Sequence, residues 1–210
     1  MKKKIILFDF DGVIADSFDI ALEINKIIDP KIVTEDDFRR LFDGNINDWK
    51  KRTKLSEEET RRIDTEFFKL YDPLMKKIKT IRGIKTVIRE LGKKYILVII
   101  SSTISSPIRD FMDRHNLSLF FNKIMGNDVH NSKCEKIRMI FDEYKIKPDD
   151  CILITDTLGD IREAATMKVK SIGVTWGFQK KENLLKGNPF RIAEKPRELD
   201  SIVSEYLDRK

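Results

Sequence analysis

Two aspartates at alternate positions close a short apolar run: Ile5-Ile6-Leu7-Phe8 is followed by Asp9-Phe10-Asp11-Gly12-Val13. The apolar residues are too few for a stable helix and read as a fully buried strand. Period-two alternation sends Asp9 and Asp11 to one side and Phe10 to the other. Gly12 lets the chain leave the strand sharply. Two carboxylates side by side at the end of a buried strand repel each other and lose hydration, and a divalent cation is the obvious compensation. A second apolar run, Ile152-Leu153-Ile154-Thr155, also ends in acids: Asp156 and, across a turn, Asp160.

Strands alternating with helices must position these acids. Strands are expected at 5–8, 95–100, 120–125, 151–155 and 169–174, with a weaker one at 190–193. Helices are expected at 85–91, 107–115, 134–144 and 161–167, with a closing helix from about Glu198. This alternation predicts an α/β fold built on a doubly wound parallel sheet, with ligands at the carboxyl ends of the strands. Between Ser17 and Thr80 the pattern changes to helices alone. Ile20, Leu22, Ile24, Ile27 and Ile28 mark one amphipathic helix. Thr34-Glu35-Asp36-Asp37 opens a second, ending near Asp43-Gly44, and Ser56-Glu57-Glu58-Glu59 opens a long third through Phe67, Phe68 and Tyr71. The expected organisation is a core of residues 1–16 and 81–210, interrupted by a helical insertion at 17–80.

The 210 residues suffice for one domain with an insertion. Hydrophobic content of 40% beside 36% charged residues describes an ordinary globular chain and argues against disorder. No apolar run approaches the ~20 residues of a membrane span, and Met1-Lys2-Lys3-Lys4 leads into a strand and does not read as a signal peptide. Cys134 and Cys151 lack metal-ligand spacing, and a reduced cytoplasmic setting is expected. The net charge of +6 suits an anionic small-molecule partner. Nucleic acid is not expected as a partner: charges of both signs are mixed, they balance within 17–80, and no nucleic-acid motif is present. Nothing in the pattern specifies an oligomeric state.

The stretch Asp9-Phe10-Asp11-Gly12-Val13 resembles the first motif of the haloacid-dehalogenase-like hydrolases, whose members are mostly phosphatases. Three further motifs of that family follow in order. Ser101 directly after Leu97-Val98-Ile99-Ile100 is similar to the second. Lys133, just before the helix expected to open at Cys134, is similar to the third. The run Thr155-Asp156-Thr157-Leu158-Gly159-Asp160 is similar to the fourth. The chain departs from the usual pattern in having Ser101-Ser102 for Thr-Asn, Cys134 for Pro, and Thr155 for Gly.

The resemblance implies a role for each position. Asp9 would attack phosphorus and form an aspartyl-phosphate, with Asp11 as general acid and then base. Ser101 and Lys133 would hold and neutralise the transferring phosphoryl group beside Gly12 and Ser102. Magnesium would be held by Asp9, the Asp11 carbonyl and Asp156, with Asp160 as a ligand or its support. Asp11 argues against carbon–halogen cleavage, because dehalogenase members lack an acid there. The insertion resembles the family's helical cap, and Asn45 and Asn47 in the loop 43–48 would face the substrate. The implied partner is a small phosphorylated metabolite. Phosphoglycolate-type phosphatases are the nearest resemblance. A sugar-phosphate mutase is the alternative, weakened by the absence of His in 17–80, and a silent phospholigand-binding module is a further one. Phe67, Phe68 and Tyr71 read most simply as packing within the insertion, and His115 and His130 carry no expected role.

Overall fold

A computed structural model describes residues 3–29, 31–44 and 56–209. Six parallel strands form one sheet: β1 (Ile5–Phe8), β2 (Ile96–Ile100), β3 (Lys123–Met125), β4 (Cys151–Thr155), β5 (Lys170–Val174) and β6 (Arg191–Ala193). Their order is β3-β2-β1-β4-β5-β6, so the chain first grows the sheet to one side of β1 and then to the other. The topological switch therefore falls at β1, the position where such sheets bind ligands. Phe8 registers with Ile99 of β2 and Ile154 of β4. One residue further on lies Asp9, and the residues leaving all three strands share the same sheet edge.

Alternation along β1 splits the core into two layers. Ile6 and Phe8 join Leu97, Ile99, Ile152 and Ile154 in one apolar cluster. Ile5 and Leu7 join Val98, Ile100 and Leu153 in another. The first layer is closed by α4 (Ile84–Gly92), α5 (Ser105–Arg114) and α9 (Leu199–Leu207). The second is closed by α6 (Lys133–Tyr144) and α7 (Leu158–Thr166). A short α8 (Lys181–Leu185) precedes β6. Both faces of the sheet are thus covered, which is why its strands are apolar without interruption.

Among the described residues, three helices separate β1 from α4: α1 (Phe18–Ile28), α2 (Glu35–Arg40) and α3 (Glu57–Leu74). Reciprocal capping boxes begin two of them, Thr34 with Asp37 and Ser56 with Glu59. Helix α2 stops at Arg40, short of the expected Asp43-Gly44, and Leu41 to Gly44 are turn and bend. Helix α5 starts two residues earlier than expected. The strand expected at 120–125 is confined to 123–125, because Ser118–Phe120 closes a 3₁₀ turn. Among the described residues, no helix is long and apolar enough to cross a membrane.

Candidate active site

Asp9 leaves β1 with its backbone N–H still on the Ile154 carbonyl, 2.9 Å away, so the sheet itself fixes its place. Phe10 turns into the core, its ring edge-on to Phe111, and Asp11 returns to the side of Asp9. The alternation expected from the sequence is realised. Gly12 has φ +71°, and a Cβ there would fall 2.0 Å from Asp156 Oδ2. Gly177 makes a similar approach, with a Cβ at 2.3 Å from the same oxygen. Two glycines from separate loops therefore admit the Asp156 carboxylate, and the Phe178 N–H donates to its Oδ2 at 2.6 Å.

Lys133 is buried among these acids. Its ammonium lies 2.9 Å from Asp9 Oδ2 and 2.5 Å from Asp160 Oδ2. It is the first residue of α6 rather than the residue before it, because Ser132 occupies the N-cap position. Asp160 sits in the first turn of α7, which begins at Leu158, earlier than expected, because Thr157 accepts from the Asp160 N–H as N-cap. Thr155, which departs from the usual pattern, donates its hydroxyl to Asp160 Oδ2 at 2.6 Å. Ser101 is buried at the end of β2, its Oγ accepting the Thr103 N–H, and Ser102 beside it is exposed.

The electrostatics follow from burial. Desolvation pushes the Asp9 carboxyl well above its ordinary range against the pull of Lys133, with Asp160 and Asp156 adding to the rise. Desolvation also pushes Asp156 up to about 7, opposed by the Phe178 N–H. Burial works against the Lys133 charge, but Asp160 and Asp9 outweigh it and hold the ammonium protonated. Burial opposes the Asp160 charge too, and Lys133 with its hydrogen bonds still holds Asp160 below the usual range. Three buried aspartates face one buried ammonium. Fully ionised, and with the buried Lys136 counted beside Lys133, the acids still carry an excess of negative charge that a divalent cation would offset. Asp156 Oδ1 is buried without a hydrogen-bond partner, the lone pair such a cation would take. The donors are all oxygens, which suits magnesium.

These groups form the floor of one cavity of about 170 Å³, which Asp9, Asp11, Ser101, Lys133 and Asp156 all line. A carboxylate pair, a strand-end serine, a buried lysine and a second acid pair follow one another in this order along the chain and meet at one sheet edge, and one family model spans all of them. That model, for haloacid dehalogenase-like hydrolases, matches residues 6–174. The chain belongs to this family.

Other likenesses agree with it. The chain is 22% identical over 207 residues to a phosphoglycolate phosphatase of Synechococcus elongatus, covering 96% of this chain and 98% of that one. It is 23% identical over 211 residues to the pyrophosphatase PpaX of Listeria welshimeri, covering 95% and 96%. A solved structure of a predicted phosphatase from Clostridium acetobutylicum superposes with a TM-score of 0.82 at 22% identity, over 100% of both chains. That likeness carries the fold.

This haloacid dehalogenase-like hydrolase also uses residues that no motif pointed to. Asp11 accepts three hydroxyls: Ser17 at 2.8 Å and Tyr71 on Oδ1, and Thr103 at 2.6 Å on Oδ2. Tyr71 comes from α3, so the expectation that it serves packing alone is incomplete. Phe67 and Phe68 of the same helix line the cavity, as does Phe178. Lys136 is fully buried and donates to the Ser101 carbonyl at 2.5 Å. Trp176 packs against the core and donates to the Val13 carbonyl. His115 lies within reach of Lys85 and the Ile78 carbonyl, apart from the cavity lining. Asn45 and Asn47 lie outside the described residues.

Proposed function

We propose that this protein is a magnesium-dependent phosphatase that hydrolyses a small phosphomonoester through an aspartyl-phosphate on Asp9. The observation that carries this reading is the placing of Asp9 and Asp11 in one cavity, with the Lys133 ammonium on the Asp9 carboxylate. The phosphatase names of the relatives support it.

In this reading an Asp9 oxygen attacks phosphorus, the Asp9 O–P bond forms, and the bond to the leaving oxygen breaks. Asp11 gives its proton to that oxygen, then takes one from the water that cleaves the aspartyl-phosphate. Lys133 and Ser101 face the transferring oxygens and stabilise the charge that develops there. Magnesium, held by Asp9, Asp156 and the Asp11 carbonyl, would supply positive charge that lets an anionic phosphate approach an anionic nucleophile. Asp160 orients the lysine through its Oδ2, which Lys133 and Thr155 share, and stands beside the others as a further ligand or its support. The helices of residues 17–80 act as a cap over a core of residues 1–16 and 81–210. The contact from Tyr71 to Asp11 and the cavity lining drawn from α1, α2 and α3 support that division.

The test is phosphate release from a panel of small phosphomonoesters, with and without magnesium, for wild type and Asp9→Asn. Magnesium-dependent release that the folded variant lacks is expected. Turnover retained by Asp9→Asn would remove Asp9 as nucleophile and with it this mechanism.

A further inference from the structure

The chemistry of the cavity changes abruptly from floor to walls. Beyond the aspartates, the described lining is largely apolar, with Asn25 and Asn127 as its amides: Ile28, Ile63, Phe67 and Phe68 come from α1 and α3, and Phe42 and Phe178 are in edge-to-face contact at 5.1 Å. Phe67 and Phe68 are themselves edge-to-face at 5.4 Å, and both remain half-buried, with ring surface left open to the cavity. Among the described lining residues, Lys133 is the one cation, and it is committed to Asp9 and Asp160. Arg39 of α2 is turned to the Phe178 carbonyl and Glu35, and it is absent from the described lining. The other charged groups on the described lining, Asp9, Asp11, Asp156, Asp160 and Glu163, are all acidic.

A leaving group that carries a carboxylate would meet no counter-ion among the described residues here and would lose its hydration, which is costly. An aromatic or alkyl group would instead complete ring packing that is half made.

We infer that the site takes phosphomonoesters of apolar, single-ring or short alkyl alcohols, in preference to carboxylate-bearing esters such as phosphoglycolate. The inference rests on the phosphatase reading above. It makes Ile63, Phe67 and Phe68 the residues that select the substrate.

The experiment compares kcat/KM for benzyl phosphate and phosphoglycolate, both esters of primary alcohols, in the magnesium-supplemented full chain. Acetyl phosphate, small and activated, reports the shared phosphoryl chemistry. Benzyl phosphate should be favoured by about tenfold or more, the scale at which apolar pockets discriminate. The ratio should fall in Phe68→Ala through KM, and Ile63→Arg, at a half-buried position, should turn the preference toward phosphoglycolate. Equal or greater kcat/KM for phosphoglycolate in wild type overturns the inference. So does a benzyl preference that both variants leave intact. Turnover of acetyl phosphate alone also overturns it while sparing the phosphatase reading. No turnover of any of the three by the folded protein defeats both.

Discussion

Three hydroxyls converge on Asp11, from the linker to α1, from α3 and from the loop after β2. A carboxyl group that must give and take a proton in one direction benefits from being held in one rotamer. Tyr71 is the donor that arrives from the helical segment, so its loss separates orientation of Asp11 from the rest of the site. Tyr71→Phe is expected to lower kcat roughly tenfold with KM little changed, and to cost only about 1 kcal/mol of stability. Steady-state kinetics beside a thermal melt check this, and an unchanged kcat would show that Ser17 and Thr103 suffice. Lys136 supports the neighbouring loop from below, through the Ser101 carbonyl. Burial lowers its pKa to about 8, Lys133 adds to the fall, and Asp9, Asp160 and Glu163 oppose it. The folded state thus binds this proton less tightly than the unfolded chain does. The penalty is full below about pH 8 and is relieved as pH rises toward the ordinary 10.5. Lys136→Met should abolish that contribution, so the stability difference between wild type and variant should shift in favour of wild type across this window. Denaturant titrations at about pH 7 and about pH 10, on either side of the lowered value, check this. A difference that stays flat between them would mean that Lys136 is not buried as a charge.

At the scale of elements, α7 shows how a cap sets the site. Thr157 caps its first turn, and the Leu158 N–H is taken by Gln179 Oε1 at 2.6 Å. The cap starts the helix three residues before the apolar pattern alone suggests, which lifts Asp160 out of a turn and into helical geometry facing Lys133. Thr157→Ala is expected to destabilise by about 1 kcal/mol. It should also lower activity more than a capping loss elsewhere, because Asp160 loses its anchor. A matched Ser56→Ala at the start of α3 provides the comparison, with a similar loss of stability expected there. Equal effects of the two variants on kcat/KM would count against a special role for the α7 cap. Caps at α2 and α3 are legible in the sequence from the acids three positions after Thr34 and Ser56. At α7 the same spacing, Thr157 to Asp160, coincides with a motif whose acids point to chemistry, and the chemical signal masks the capping one.

Across the whole molecule, the helical segment is tied to the sheet by a third apolar cluster, in which Phe178, after β5, packs with Ala21, Leu22, Ile32, Phe38 and Leu41. The Phe178 ring meets those of Phe18, Phe38 and Phe42, with centroid distances of 5.4, 5.7 and 5.1 Å. Its backbone N–H is on Asp156. One residue therefore links the acid floor to the segment above it. Phe178→Ala should cost about 3–5 kcal/mol, seen as a lower urea midpoint. A midpoint close to that of wild type would mean that α1 and α2 are held by other contacts.

The amino-acid sequence by itself determined the α/β class, the run of buried strands, and the placing of Asp9, Asp11, Ser101, Lys133 and Asp156 at strand ends or a helix start. Those properties are local: alternation, apolar run length and turn residues act over a few positions and survive any global arrangement. The strand order, with β1 between β2 and β4, was decided by tertiary structure, and so was the company each acid keeps. Tyr71 reaches Asp11 across 60 positions and Thr103 across 92, and Lys136 finds the Ser101 carbonyl across 35. No local pattern distinguishes these residues from ordinary packing or surface. Their roles exist because helix docking brings their polar ends to one carboxylate or one carbonyl, where burial leaves those groups no water to turn to.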